Sequence, residues 1–212
     1  MIDISDFKSI LSKKPTILDR FYTFEGTDGV GKTTTVKSCA EMLENYGLTV
    51  VTTREPYGFK SNAQHSSEEY YKDRDEHLRD FILPNLEKGH IVLCDRYELS
   101  TTVYQNTPYR LLEIPQPAIT FVLGCPNKDS SNLDDFHHTL GESDYIRNKV
   151  IQFNMLKYEY WGNILKLVGL RVELIPIIRF VAETEPKQSW MHWKNSLICT
   201  HILNSMTKEY LL

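Results

Sequence analysis

Apolar residues along this chain fall into short runs separated by longer mixed segments. Phe21–Glu25, Leu48–Thr53, His90–Cys94, Ala118–Leu123 and Val172–Ile178 are runs of strand length, rich in β-branched and aromatic residues. The segments between them carry apolar residues at helical spacing. Lys32–Tyr46 predicts a helix stopped by Gly47. Ser66 or Ser67 predicts the cap of a long helix running towards Leu86, kinked near Pro84 and stopped at Gly89. Ser143 predicts the cap of a helix reaching about Val168, and Lys187–Met206 predicts a final amphipathic helix. Strands that alternate with helices predict an α/β fold, a five-stranded parallel sheet flanked by helices. No repeat, low-complexity tract or linker divides the chain, so residues 21–212 read as a single domain behind a short extension, residues 1–20.

Composition narrows the function classes. A net charge of −4 over 212 residues argues against a broad nucleic-acid-binding face, which needs a basic surplus to neutralise phosphates. A small anionic ligand remains open, since a few placed Arg and Lys side chains suffice to hold it. No apolar run approaches the roughly 20 residues of a membrane span. The first residues, MIDISDFKSILSKK, lack the basic-then-apolar order of a signal peptide. Cys39, Cys94, Cys125 and Cys199 are widely spaced without a CxxC pair, which predicts reduced thiols and a cytoplasmic location.

The strongest chemical signal is Gly26-Thr-Asp-Gly-Val-Gly-Lys-Thr33, which satisfies GxxxxGK[ST] at every fixed position and sits between a predicted strand and a predicted helix. Glycines there let backbone N–H groups curl around phosphate oxygens, and the helix N-terminus adds partial positive charge. Gly26, Asp28, Gly29, Val30, Gly31, Lys32, Thr33 and Thr34 are therefore expected to cradle the phosphates of a nucleoside triphosphate such as ATP. Lys32 is expected at the β- and γ-phosphates and the Thr33 hydroxyl on Mg²⁺.

Three further stretches bear on the reaction. In IVLCDRYELSTTVYQ an apolar strand delivers Asp95 beside the phosphate loop, the place of a second Mg²⁺ ligand, and Arg96 follows, able to grip a second phosphate. The plainer reading of that pair is a strand-end ion pair between Asp95 and Arg96. In TTREP, Arg54 stands at a strand's carboxyl end, where ligands of open α/β sheets bind. In YYKDRDEHLRDFILPNLEKG, Tyr70 and Arg74 are four residues apart and share a helix face, able to stack on a base and bond its edge. Their plainer reading is ordinary helix surface. The decoy PNKDSS does not make a guanine-reading NKxD, because Ser130 occupies the place of the aspartate, so a regulatory GTPase is set aside.

Together FEGTDGVGKTT, TREP, DRDEHLRDFILPNLEKG and DRYELSTTVYQ resemble, in order and spacing, the thymidylate kinase family of P-loop nucleoside monophosphate kinases, over roughly Phe21 to Gln105. The resemblance implies a doubly wound parallel sheet and a homodimer that passes the γ-phosphoryl of ATP to dTMP with Mg²⁺, taking small-molecule nucleotides as substrates. By the same resemblance Asp28 lies near the acceptor's sugar or phosphate, and Arg54 and Arg96 bind that phosphate. Tyr70 stacks on thymine, Arg74 donates to its edge, Thr101 and Gln105 make polar contacts to the base, and Tyr104 lies under the deoxyribose. Lys32, Arg96 and Asp28 are the expected catalytic groups.

The later half departs from the family pattern. Gly124 and Cys125 stand where an aspartate is common, and Tyr145 stands where an arginine is expected after Asp144. One family branch carries a P-loop arginine at the position of Gly29 and the other carries arginines in the lid, here around residues 126–148. This chain has neither, and between Pro126 and Tyr145 its only full positive charge is Lys128. Arg147, Lys149, His137 and His138 are the available substitutes, and Arg147 is the expected one. The alternatives left open are a kinase for dUMP, a 5-substituted dUMP or several dNMPs, and a nucleotide-binding module without catalysis.

Overall fold

A computed structural model describes residues 14–59, 65–126, 142–177 and 187–206. Five strands, β1 (Ile17–Glu25), β2 (Val50–Arg54), β3 (Ile91–Asp95), β4 (Gln116–Pro126) and β5 (Val172–Ile177), form one sheet in the order β2-β3-β1-β4-β5. Every pairing is parallel, as the alternation of strands and helices predicts. The helices between them are α1 (Lys32–Glu44), α2 (Ser67–His77), α3 (Leu83–Glu87), α4 (Glu98–Gln105), α5 (Glu142–Leu167) and α6 (Lys187–Met206).

Helices cover both faces of the central strands, and the side chains divide between the two faces with period two. Tyr22 and Phe24 of β1, Ile91 and Leu93 of β3, and Ile119, Phe121 and Leu123 of β4 pack with Val36, Cys39 and Leu43 of α1 and Ile198 and Ile202 of α6. Phe21, Val92 and Cys94 point the other way, against Tyr71 of α2 and the Leu78 and Ile82 that follow it. Val122 and Val172 join Leu99 and Val103 of α4 and Tyr158 and Leu165 of α5 in a third cluster. Burying both faces leaves the strand ends and their loops as the places where polar groups meet solvent.

Several expected boundaries change. β1 begins at Ile17, four positions inside the expected extension; Ile17 and Leu18 pair with Gln116 and Pro117 across a register shift, and Arg20 takes a φ of 61°. Asp19 and Arg20 break the apolar run, which hides this part of the strand in the sequence. Ser66 is the cap of α2 in a full capping box with Glu69. Where a kink is expected near Pro84, a π-helical turn at Leu78–Ile82 leads directly into α3. Pro84 has no N–H to give to the carbonyl of Asp80, and the widened turn accommodates its ring. Ser143 is not a cap: α5 starts at Glu142 and Ser143 lies within it. The lid residues 127–141, with Lys128, His137 and His138, lie outside the described residues, as do residues 1–13.

Candidate active site

β1, β2 and β3 end side by side, with Asp95 paired in register with both Phe24 and Arg54. A cavity of about 340 Å³ opens at this edge, lined by Asp28, Gly29, Gly31, Lys32, Thr33, Thr34, Arg54, Asp95 and Arg96. Three separate sequence stretches thus deliver their candidate residues to one space, while Tyr70 and Arg74 of the fourth are not among the residues that line it.

The loop after β1 is shaped by its glycines. Gly26 has a φ of 138°, and a Cβ there would sit 2.5 Å from the Leu123 carbonyl oxygen. Gly31 caps α1 in the left-handed region, no side chain caps the helix, and its first turn carries no acidic residue. The first N–H groups of α1 therefore lack side-chain acceptors and face the cavity end of the helix, where the dipole favours an anion. Lys32 is buried and its Nζ donates to Thr27 O at 2.7 Å. Burial, with the Arg96 charge nearby, lowers Lys32 to about 8.

Thr33 Oγ1 donates to Asp95 Oδ2 at 2.5 Å. One hydroxyl and one carboxylate at the cavity wall form a hard-oxygen donor pair suited to a divalent cation that takes its other ligands from phosphate and water. Among the described residues no group of three or more His, Cys, Asp or Glu side chains gathers to hold a metal ion by itself.

The expected alternative of an Asp95–Arg96 ion pair does not form. Arg96 instead pairs with Asp28, Nη2 to Oδ1 at 2.5 Å, and its guanidinium lies 5.0 Å from the centre of the Tyr104 ring. Its Nη1 donates to Ser100 Oγ at 3.0 Å, Tyr158 Oη at 3.3 Å and Gly26 O at 3.4 Å. Desolvation works against the charge, but Tyr158, Tyr104, Asp28 and Glu25 outweigh it and hold Arg96 firmly cationic. Glu25 is fully buried and accepts from Tyr97 N, Ser100 N and Ser100 Oγ. Burial raises it to about 7.

Arg74 is not helix surface: it is 1% exposed. Its Nε donates to Glu55 Oε1 at 3.1 Å and Oε2 at 3.0 Å, and Nη2 donates to Oε2 at 2.5 Å and to Thr101 Oγ1 at 2.9 Å. Glu55 accepts from His77 as well, and His77 meets Thr53 Oγ1 at 2.8 Å. Among the described residues, the buried Nη1 of Arg74 and Oε1 of Gln105 have no partner. Each of these atoms would gain from a polar partner supplied by a ligand. The rings on the Arg74 guanidinium are Tyr71 and Tyr97, whereas Tyr70 packs on Phe59 and His65. Tyr104 is 39% exposed with its ring under Arg96, so it is not a core residue.

Arg54 is exposed at the cavity rim, and Arg147 lies in α5 with its side chain outside the described residues. Sequence reading missed Glu25, Glu55, His77, Ser100 and Tyr158. The first two flank quoted motifs, FEG and REP, and were legible as buried acids at strand ends; Tyr158 carries no signal in MLKYEYW.

A family profile described as thymidylate kinase matches residues 58–130. The thymidylate kinase of Desulfotalea psychrophila is 32% identical over 65% of this chain and 81% of its own. The probable thymidylate kinase of Pyrococcus horikoshii is 31% identical over 76% and 86%. The thymidylate kinase of Caldicellulosiruptor saccharolyticus is 38% identical, but this chain spans only half of its length. The crystal structure of thymidylate kinase from Ehrlichia chaffeensis superposes with a TM-score of 0.59 at 25% identity, covering 89% of this chain and all of the other.

Proposed function

Since the chain belongs to the thymidylate kinase family, we propose that it is an ATP-dependent kinase whose acceptor is dTMP and whose product is dTDP. The observation that carries the assignment is that one cavity is lined both by Lys32 at the uncapped α1 terminus and by Arg54 and Arg96, which we read as two phosphate grips. A triphosphate donor fits the first grip. The second fits an acceptor that already carries a phosphate, which favours a nucleoside monophosphate over a nucleoside.

Backbone N–H groups from Gly29 to Thr34 and the Lys32 ammonium bind the donor's phosphates and stabilise the charge that shifts during transfer. Thr33 and Asp95 would hold Mg²⁺, which when bound would neutralise phosphate charge. Arg54 and Arg96 fix the acceptor's phosphate, and Asp28 orients Arg96 through their ion pair. Arg74 Nη1 and Gln105 read the pyrimidine edge beside Thr101, Tyr70 covers its face, and the Tyr104 ring underlies the sugar. Arg147 supplies the positive charge at the moving phosphoryl group that the P-loop lacks at Gly29. The reading includes a homodimer and a cytoplasmic location. No helix among the described residues is long and apolar enough to cross a membrane.

A panel of dTMP, dUMP, the other deoxynucleoside monophosphates and deoxythymidine, each with Mg-ATP, tests it by ADP release. Turnover should be highest with dTMP. Turnover on deoxythymidine exceeding that on dTMP would overturn the assignment of the second grip.

A further inference from the structure

Arg96 is held by more than its ion pair. Its Nη1 has two protons, and the hydroxyl oxygens of Ser100 and Tyr158, at 3.0 and 3.3 Å, are nearer acceptors for them than Gly26 O at 3.4 Å. Those hydroxyls also touch each other at 2.8 Å. Ser100 has a single hydroxyl proton, and the Glu25 carboxylate takes it at 2.5 Å. While Glu25 is ionised, the Tyr158 proton goes to Ser100, because Ser100 has none left to give. The hydrogen bonds then run inward to Glu25, and both hydroxyl oxygens turn lone pairs towards Arg96. Tyr158 is 1% exposed, packs edge-on to Tyr104, and comes from α5, none of whose described residues lines the cavity.

We propose that Tyr158 is a positioning residue for the reaction: its phenol oxygen, oriented by Ser100 and Glu25, fixes the Arg96 guanidinium that grips the acceptor's phosphate. The inference rests on the reading of Arg96 given above. A planar guanidinium that must present two N–H groups to a phosphate loses grip if it can rotate about its stem. Asp28 alone does not prevent this, since its side chain is 71% exposed. Tyr158 thus makes α5 part of the acceptor-phosphate site without touching the ligand.

The test compares binding of dTMP and of deoxythymidine, which lacks the phosphate, to the wild type and to Tyr158→Phe, Ser100→Ala, Arg96→Lys and the Tyr158→Phe/Arg96→Lys double variant. Calorimetric titrations are run beside melting curves. Tyr158→Phe keeps the ring and removes one hydroxyl, so it should weaken dTMP binding about three- to tenfold and leave deoxythymidine unchanged. Ser100→Ala should do the same, and Tyr158→Phe should add nothing once Arg96 is lysine. Equal weakening of both ligands, or of neither, would overturn the proposal and make Tyr158 a packing residue. If Arg96→Lys leaves dTMP binding at the wild-type value, Arg96 is not the phosphate grip and the proposal falls with it.

Discussion

Thr33 and Asp95, 62 positions apart in the chain, meet at 2.5 Å where α1 begins and β3 ends. A P-loop hydroxyl and a strand-end carboxylate are brought together by the parallel pairing of β1 with β3. Asp95→Asn keeps the shape and removes the charge that a divalent cation needs. The Mg²⁺ concentration for half-maximal rate should rise about tenfold or more, and EDTA should abolish turnover in the wild type. An unchanged Mg²⁺ dependence in that variant would make the pair structural.

Lys32 is expected to act on charge that moves. Lys32→Ala should lower kcat by about 10²–10³ and leave the affinity for dTMP within a few-fold. Its lowered value of about 8 adds a second signature. Phosphate charge brought next to Lys32 raises its affinity for a proton, so triphosphate binding at pH about 8.5 should be accompanied by proton uptake. Calorimetry in buffers of different ionisation enthalpy measures this uptake, and it should vanish in Lys32→Ala.

Arg74 and Glu55 form a buried pair at 2.5 Å. Arg74→Ala leaves the Glu55 carboxylate without its main partner, so it should cost about 3–5 kcal/mol of stability as well as base recognition. Tyr70→Ala, at a half-exposed site packed on Phe59 and His65, should weaken the acceptor with little loss of melting temperature. Equal melting temperatures for the two variants would contradict the buried role of Arg74.

Glu25 makes stability depend on pH. Its folded value of about 7 lies above the ordinary 4.5, so the folded chain holds a proton that the unfolded chain releases. The stabilisation is complete below about 4.5 and is lost as pH rises through about 7. Glu98, raised by burial to about 6, acts in the same direction. Glu25→Gln should flatten part of the fall in melting temperature between pH about 5 and 8. A wild-type melting temperature that climbs steadily across that window would contradict the burial of a charged Glu25.

Tyr104 bears on the sugar. If its ring underlies the deoxyribose, a 2′-hydroxyl loses water partners without gaining new ones, at about 1–3 kcal/mol. Tyr104→Ala should narrow the preference for dTMP over its ribonucleotide counterpart, read as a ratio of kcat/KM. A merely packed ring would lower the melting temperature and leave the ratio where it was.

Period-two and helical patterns made the five strands and the long helices legible, because burial on both sheet faces forces apolar runs on the central strands. The glycine-rich loop 26–33, Asp95, Arg96 and Arg54 were legible because each ends or follows a strand, and a parallel sheet brings strand ends to one edge. What holds Arg96 and Arg74 was not legible. Tyr158 and His77 sit on helices whose rotation and approach are set by packing, and their partners lie 62 and 22 positions away. The start of β1 was hidden for a different reason: Asp19 and Arg20 look like loop residues, yet the backbone pairs with β4 on the far side of a bulge.

The most direct measurement follows the reaction itself, by ³¹P spectra of the protein with ATP, Mg²⁺ and dTMP. The account predicts that dTDP and ADP appear together in equal amounts, and that Lys32→Ala removes both signals. Binding of both nucleotides with neither product formed, at protein concentrations where ATP and dTMP saturate the site, would contradict it and leave a nucleotide-binding module on a kinase scaffold.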